Sequence, residues 1–420
     1  MLHLTMITDD LSGAADSGSY YTERGQQLTI FTSKEETLVR QADEIVAVNL
    51  SSRNTEGALA KSRHFQVCEK LKRLEPQLFM KKIGTGFRGN DAYELEGLLE
   101  AMPDYYCFLV DNAPDLGTFT LYGDQYCEGQ ILHKSLYAKD PIMPPTKSYI
   151  PEILMEHTHF SVGLVDIDAV KGETLAQKTA EQLAAGHRIL VFDAITRQDT
   201  LHILQTLAPL YPKVFWTGSL GIADGLATYL YGAPQPHLFQ KRPVRSLCFC
   251  ASAYEMAKKQ VEKSRENGLL VTELEIDALL DGDESAKTRA VADCLEKNRR
   301  GNVMFLPRVQ RYSYQPGVSQ RIMQAMGECA QQICQRAQFE RIAVIGGETA
   351  QEIFARLAVG RMRLTGKLEP GVAEGEILDG LLAGKEFAIK GGSVGSVDAL
   401  EKMLCNWVPQ AQSEAAYVEV

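Results

Sequence analysis

Two adjacent carboxylates, Asp9 and Asp10, close the apolar run Leu4 to Ile7 and precede the small-residue stretch Ser12-Gly13-Ala14-Ala15. A strand that ends in two aspartates and turns into a helix presents them at the C-terminal edge of a sheet, where open α/β folds place ligands. Neighbouring carboxylates repel, so the pair suits a site that takes a proton from a hydroxyl or meets a cation. The structural alternative is a helix cap, with Asp9 or Asp10 accepting from free N–H groups and Ser12 assisting. A second group is basic: Lys81, Lys82 and Arg88 flank the turn Gly84-Thr85-Gly86-Phe87-Arg88-Gly89, and Arg53 ends another strand of the same half. These cations fit an anionic small molecule, and Arg53 can offer a carboxylate its fork of donors. A third group lies far along the chain. Gly346-Gly347-Glu348-Thr349 follows an apolar strand and opens a helix, Gly391-Gly392-Ser393 with Gly395 forms a second flexible loop, and Ser252 stands just past the strand Ser246 to Cys250. Backbone that can approach closely, next to uncapped helix N–H groups, is suited to phosphate.

Other chemistries find weaker support. The Gly84–Gly89 turn is a literal G-x-G-x-x-G with Asp111 further on, the outline of a dinucleotide site. Its strand, however, ends in Lys81-Lys82 where apolar packing residues are wanted, and it is not in the first βαβ unit of either half. The nearest approach to a P-loop, Gly360 to Lys367, has one residue too many and Leu368 where Ser or Thr is required. No G-x-S-x-G elbow is present. His157 and His159 have no thiols near them and fit surface positions better than a metal site, so no metal ligand is assigned. Nine cysteines without a C-x-x-C pair fit buried thiols, and Cys248 and Cys250 fall on one face of a strand.

The elements that must hold these groups alternate between strand and helix along almost the whole chain, the α/β signature. In the first half, strands are expected over Leu28–Thr32, Ile45–Leu50, Leu78–Ile83 and Tyr105–Val110, with a helix from Thr55 to Leu74 ended by Pro76 and the charged segment Lys34–Asp43 between two strands. Ala113 to Pro151 reads as irregular loops with a hairpin, after which regular alternation resumes to Leu230. Gly232 to Pro243 carries three prolines and reads as a linker. The expectation is two α/β domains with a cleft between them, residues 1–235 binding substrate and 243–420 binding nucleotide. A length of 420 residues accommodates both cores. The formal charge of -10 argues against nucleic acid as a partner. No signal peptide or membrane-spanning run is seen, so a cytoplasmic protein is expected.

Taken together the motifs resemble one family. Asp9-Asp10-Leu11-Ser12-Gly13-Ala14 resembles its opening D-D-L-T-G-A, and Lys81 to Asn90 resembles its K-K-x-D-S-T-L-R-G-N. Gly218-Ser219-Leu220-Gly221 is similar to its G-S-x-G. Gly346 to Ala350, Glu369-Pro370-Gly371-Val372 and Lys390-Gly391-Gly392 are similar to its nucleotide motifs. This is the four-carbon acid sugar kinase family, whose members phosphorylate threonate, erythronate or 3-oxo-tetronate with ATP, and the resemblance covers essentially the whole chain. It implies an acid-sugar site at Asp9, Arg53 and Lys81-Lys82-Ile83-Gly84, and an ATP site at Ser252, Gly346-Gly347-Glu348-Thr349 and Gly391 or its neighbour Gly392. Gly84, Gly86 and Phe87 depart from the family's Asp, Thr and Leu, and Gly117-Thr118 stands where Gly-Arg is common.

The expected reaction is transfer of a phosphoryl group from ATP, with Mg²⁺, to the C4 hydroxyl of a sugar acid, D-threonate before D-erythronate or 3-oxo-tetronate. Asp9 would accept or orient the hydroxyl proton, with Asp10 assisting it or helping to position magnesium. Arg53, Lys81, Lys82 and Arg88 would meet the substrate's negative charge. The small-molecule partners are then the sugar acid and ATP, with no nucleic acid or membrane and a homo-oligomer left open. Two rivals come from other classes: a nicotinamide-dependent oxidoreductase using the Gly84–Gly89 turn, and a non-catalytic sugar-acid sensor.

Overall fold

The computed structural model describes residues 3–32, 45–72, 77–84, 86–140, 143–234, 239–311 and 316–409. The segment Lys34–Asp43, the helix stop at Pro76, Thr85 and part of the expected linker, Gln235-Pro236, lie outside the described residues.

The first half opens with β1 (His3–Thr8), α1 (Leu11–Thr22), β2 (Leu28–Phe31) and β3 (Ile45–Asn49). It continues through α2 (Gly57–Leu71), β4 (Gln77–Lys82), α3 (Asp91–Ala101) and β5 (Tyr106–Val110). The stretch read as loops holds a small antiparallel sheet of β6 (Thr118–Leu121), β7 (Asp124–Cys127) and β8 (Gln130–Ile131), followed by α4 (Ile150–Met155). Then come β9 (Val162–Val165), α5 (Ile167–Lys171), α6 (Leu175–Ala184), β10 (Ile189–Phe192), α7 (Arg197–Leu207), β11 (Val214–Gly218) and α8 (Leu220–Tyr231). The second half starts with β12 (Phe239–Pro243), β13 (Ser246–Cys250), α9 (Glu255–Glu266) and β14 (Leu270–Glu275). It continues with α10 (Ile276–Leu280), α11 (Ser285–Asn298), β15 (Val303–Arg308), α12 (Pro316–Cys334), β16 (Arg341–Ile345) and α13 (Gly347–Arg356). The long strands β17 (Arg361–Glu369) and β18 (Val372–Ile377), then β19 (Glu386–Lys390), α14 (Ala399–Met403) and β20 (Cys405–Pro409) complete it.

In place of a fully unstructured linker, Phe239–Pro243 forms a two-stranded antiparallel ribbon with β20. The two halves also share one sheet, in the order β14-β15-β13-β16-β19-β18-β17-β2-β3-β1-β4-β11-β5-β10-β9. From β2 to β9 every pairing is parallel, and so is every pairing from β14 to β19. The β17–β18 hairpin joins them with antiparallel pairings on both sides, Arg361–Leu364 lying against Leu28–Phe31. Its register shifts between Leu364 and Gly366 and again between Lys367 and Glu369, and such bulges bend and twist a strand pair. Strands buried on both faces need unbroken apolar runs, which is why Leu4–Ile7 and Ile342–Ile345 show no polar alternation except at small residues. One apolar cluster on the α1 side passes through both halves, from Met6, Leu11 and Trp216 to Phe249, Ile353 and Phe387.

Candidate active site

α1 starts immediately after β1 because Asp10 caps it: Oδ1 accepts from Gly13 N at 2.9 Å and Oδ2 from Ser12 Oγ at 2.5 Å. The capping reading of the aspartate pair is therefore correct for Asp10. Asp10 is also a seam residue, since a Cβ built on Gly347 of α13 would lie 2.4 Å from its Oδ2. The C-terminal ends of β1 and β16, hundreds of residues apart, thus meet at one place.

Asp9 differs from its neighbour. It is buried, its Oδ2 accepts from Arg53 Nε at 2.7 Å, and its Oδ1 is buried with no hydrogen-bond partner. Burial alone would raise its pKa, but Arg53, Lys81 and Lys82 outweigh burial and hold the carboxyl below the usual carboxylate range. Arg53 straddles the pair, giving Nε to Asp9 and Nη2 to Asp10 Oδ1 at 2.8 Å. The fork expected to grip a substrate carboxylate is thus closed on the two aspartates, and Arg53 serves to orient both and to keep Asp9 ionised.

The two lysines expected to act together are separated by strand alternation. Lys81 faces α3, fully buried, with Nζ 2.6 Å from Glu94 and donating to the Lys82 carbonyl at 2.8 Å. Its charge is matched internally, so it supports the site from behind. Lys82 faces α1: Nζ donates to the Ile83 carbonyl at 2.5 Å and would lie 3.6 Å from a Cβ on Gly13. Ile83 is buried and tied to β11 through Gly218, its N–H donating at 3.0 Å. A Cβ on Gly84 would stand 3.0 Å from the Arg88 carbonyl and 3.5 Å from Arg53 Nη2, so the missing side chain lets the turn close beside Arg53.

The rest of the Gly84–Gly89 turn does not resemble a dinucleotide cradle. Tyr137 fills the space over it, 2.9 Å from where a Cβ on Gly86 would sit. Asp111, the supposed ribose acid, is buried, with Oδ1 accepting from Ser219 N at 2.8 Å. Arg88 points to the second half, with Nη1 donating to Asp140 Oδ2 and to Tyr254 Oη, both at 2.7 Å. It is thereby engaged by the chain's own groups rather than left free for a substrate.

In the second half, Gly346 takes φ +107°, a conformation that favours glycine, and no side chain caps α13, leaving its first N–H groups unclaimed. Thr349 Oγ1 lies 3.0 Å from where a Cβ on Gly346 would be, and Glu348 accepts from Asn54 Nδ2 across the seam. Ser252 Oγ and the Gly391-Gly392 loop touch: a Cβ on Gly392 would come within 2.1 Å of that oxygen. The three strand-end loops singled out in the sequence therefore converge. Lys390, quoted in the motif Lys390-Gly391-Gly392 but not assigned a role from sequence, stands beside these loops. It is buried, donates to the Gly391 carbonyl at 2.6 Å, and burial pushes its amine down to about 8. Two further acids also gave no sequence signal. Asp16 accepts from Gly371 N at 3.0 Å, and burial pushes it up to about 6. Burial, with Glu94 and Asp9 beside it, pushes Asp91 up to about 8.

Among the described residues, Glu96, Glu100 and His159 could together face a metal ion, but Lys61 Nζ already lies 2.5 Å from Glu96 and 2.8 Å from Glu100. No helix among the described residues is long and apolar enough to cross a membrane.

Comparison with known proteins finds one domain model in each half. Residues 4–226 match the model of a sugar-binding N-terminal domain, and residues 247–400 that of a nucleotide-binding C-terminal domain. A D-threonate kinase of Cupriavidus necator is 28% identical over 94% of this chain and 95% of its own length. A D-erythronate kinase of Heliobacterium modesticaldum is 24% identical over 95% of each chain, and a 3-oxo-tetronate kinase of Pseudomonas fluorescens is 24% identical over 96% of each. A solved Salmonella typhimurium protein shares the fold with a TM-score of 0.78 at 19% identity, over 96% of this chain and 98% of that one.

Proposed function

The chain belongs to the four-carbon acid sugar kinase family, and from that premise we propose that it transfers the γ-phosphoryl group of ATP to the C4 hydroxyl of D-threonate. The sugar acid binds the half comprising residues 1–235, ATP the half comprising 243–420. The observation that carries this reading is a pair of buried cations. Of the buried lysines and arginines among the described residues, Arg24, Lys81 and Arg341 are ion-paired with Asp224, Glu94 and Glu374. Lys82 and Lys390 have no carboxylate within ion-pair distance among those residues, and each stands at the C-terminal end of a strand, one in either half. An ammonium held in the interior with no carboxylate in direct contact is costly, so each position favours binding an anion. The sugar-acid carboxylate suits Lys82 and the nucleotide phosphates suit Lys390.

In this reading Asp9 Oδ1 receives the hydroxyl proton's hydrogen bond and aims the C4 oxygen at phosphorus. The new O–P bond forms as the bond to ADP breaks, and the proton leaves by way of Asp9. The uncapped N–H groups of Gly347, Glu348 and Thr349, with Ser252 and the Gly391-Gly392 loop, hold the phosphates. Mg²⁺ bound with ATP would spread charge on the phosphates, and Asp10, facing Gly347, would be the carboxylate to meet it. The chain's contribution is mostly positioning and electrostatics. D-Threonate is the acceptor named for several of the relatives, and the compartment proposed is the cytoplasm. The test is an ADP-release assay over D- and L-threonate, D- and L-erythronate and 3-oxo-tetronate. Turnover on D-threonate supports the proposal, turnover only on another acid moves the substrate, and binding without transfer makes the chain a sensor.

A further inference from the structure

The seam between the halves carries a closed triangle of side chains that the reaction as described does not use. Arg88 comes from the substrate-side turn, Asp140 from the segment after the small three-stranded sheet, and Tyr254 from the loop that follows β13 in the nucleotide half. Arg88 Nη1 donates to Asp140 Oδ2 and to Tyr254 Oη, each at 2.7 Å, and Tyr254 Oη donates to Asp140 Oδ2 at 2.8 Å. The guanidinium also lies by two rings, its carbon 5.6 Å from the centre of Tyr137 and 6.0 Å from that of Tyr254. Each end of the triangle touches one binding region. On one side Tyr137 rests on Gly86, leaving no room for a Cβ. On the other, Tyr254 Cδ2 would lie 3.0 Å from a Cβ on Gly392, and Tyr254 N donates to Ser252 Oγ at 3.3 Å. Tyr254 therefore touches both the Ser252–Gly392 region and Arg88, whose turn follows directly on Lys82 at the end of β4. Burial pushes the Tyr254 hydroxyl up to about 12, so it remains a donor throughout the working pH range.

We propose that Tyr254 and Asp140 are positioning residues that act through Arg88 to couple the nucleotide loops to the acid-sugar turn, so that filling one site orders the other. This rests on the assignment of the two halves to sugar acid and nucleotide. A charge-assisted hydrogen bond at a partly buried seam supports a coupling of about tenfold between the two ligands. The linkage is reciprocal.

The test is amide hydrogen exchange on the full chain, with and without Mg²⁺ and a non-hydrolysable ATP analogue. Wild type should slow exchange both at residues 345–350 and, across the seam, at residues 86–90 and 132–140. Tyr254→Phe keeps the ring and loses the hydroxyl. It should retain the slowing at 345–350 and lose it at 86–90. Asp140→Asn should do the same, and the double variant should be no worse than either single one, as expected for one cooperative unit. In turnover, the KM for the sugar acid should rise about tenfold in Tyr254→Phe while the affinity for the analogue alone is kept. Equal slowing at 86–90 in wild type and Tyr254→Phe overturns the coupling and leaves the kinase reading standing. No slowing at 345–350 in wild type overturns the nucleotide assignment and the coupling with it.

Discussion

Replacing Asp9 with Asn tests the chemistry most directly. Asp9 has one oxygen bound by Arg53 Nε at 2.7 Å and one buried oxygen with no partner. An asparagine there must turn its carbonyl to Arg53, because an NH₂ group would face an N–H donor. That leaves the NH₂ in the place of Oδ1, a donor where the acceptor's hydroxyl needs an acceptor. The hydrogen bond lost is charge-assisted and contributes about 1.5–3 kcal/mol. General-base removal elsewhere costs about 10²–10⁴ in rate. Asp9 belongs at the lower end of that range, because Arg53, Lys81 and Lys82 overcome burial and keep its proton affinity low. A fall in kcat of about 10² to 10³ is expected, equivalent to about 3–4 kcal/mol of barrier. The carboxyl's folded pKa is depressed, so its charge is present above the unfolded value of about 3.9 and is lost only as pH falls well below it. The rate profile should therefore show no limb from Asp9 above about pH 5. The assay is coupled ADP release across pH 5–9, paired with calorimetry of the ATP analogue. A variant that retains kcat within about threefold of wild type, or that loses the analogue as well, would refute the assignment.

Other outcomes follow from the same geometry. The Lys390 amine is pushed down to about 8 by burial, so ATP affinity should fall as pH rises through 8, by up to about tenfold per unit, and Lys390→Arg should flatten that slope; calorimetry at pH 7, 8 and 9 reads it, and an unchanged slope counts against a phosphate at Lys390. The chain without ATP responds in the opposite sense, because a lysine with a depressed folded pKa gains stability as pH rises through 8. Glu94→Gln leaves Lys81 buried without its carboxylate and should cost about 3–5 kcal/mol in urea unfolding, with an unmoved midpoint contradicting the buried pair.

Much of the geometry of the Gly346 and Gly391-Gly392 loops was legible because its signals are local. Glycine before a helix, or a loop beside Ser252, has one backbone meaning wherever the chain goes, and Gly346 indeed takes a φ of +107°. The cations were harder to read. Lys81 and Lys82 look equivalent in sequence, yet strand alternation sends one to Glu94 and the other toward α1. Arg53 has the residue type for a substrate carboxylate, but which carboxylate it meets depended on where β1 ends. Asp10 is both cap and seam residue, and only the first role can be inferred from its neighbours.

The sequence by itself determined that apolar strands end in acidic, basic and glycine-rich turns, because period, charge and backbone freedom are properties of short segments. The tertiary structure decided how these turns meet. The β17–β18 hairpin joins two parallel runs into one sheet, brings Asp10 against Gly347, and sets Tyr254 against Arg88 and Asp140. Those contacts link residues up to hundreds of positions apart. No local pattern encodes them, since they arise from the packing of the two halves around a shared core.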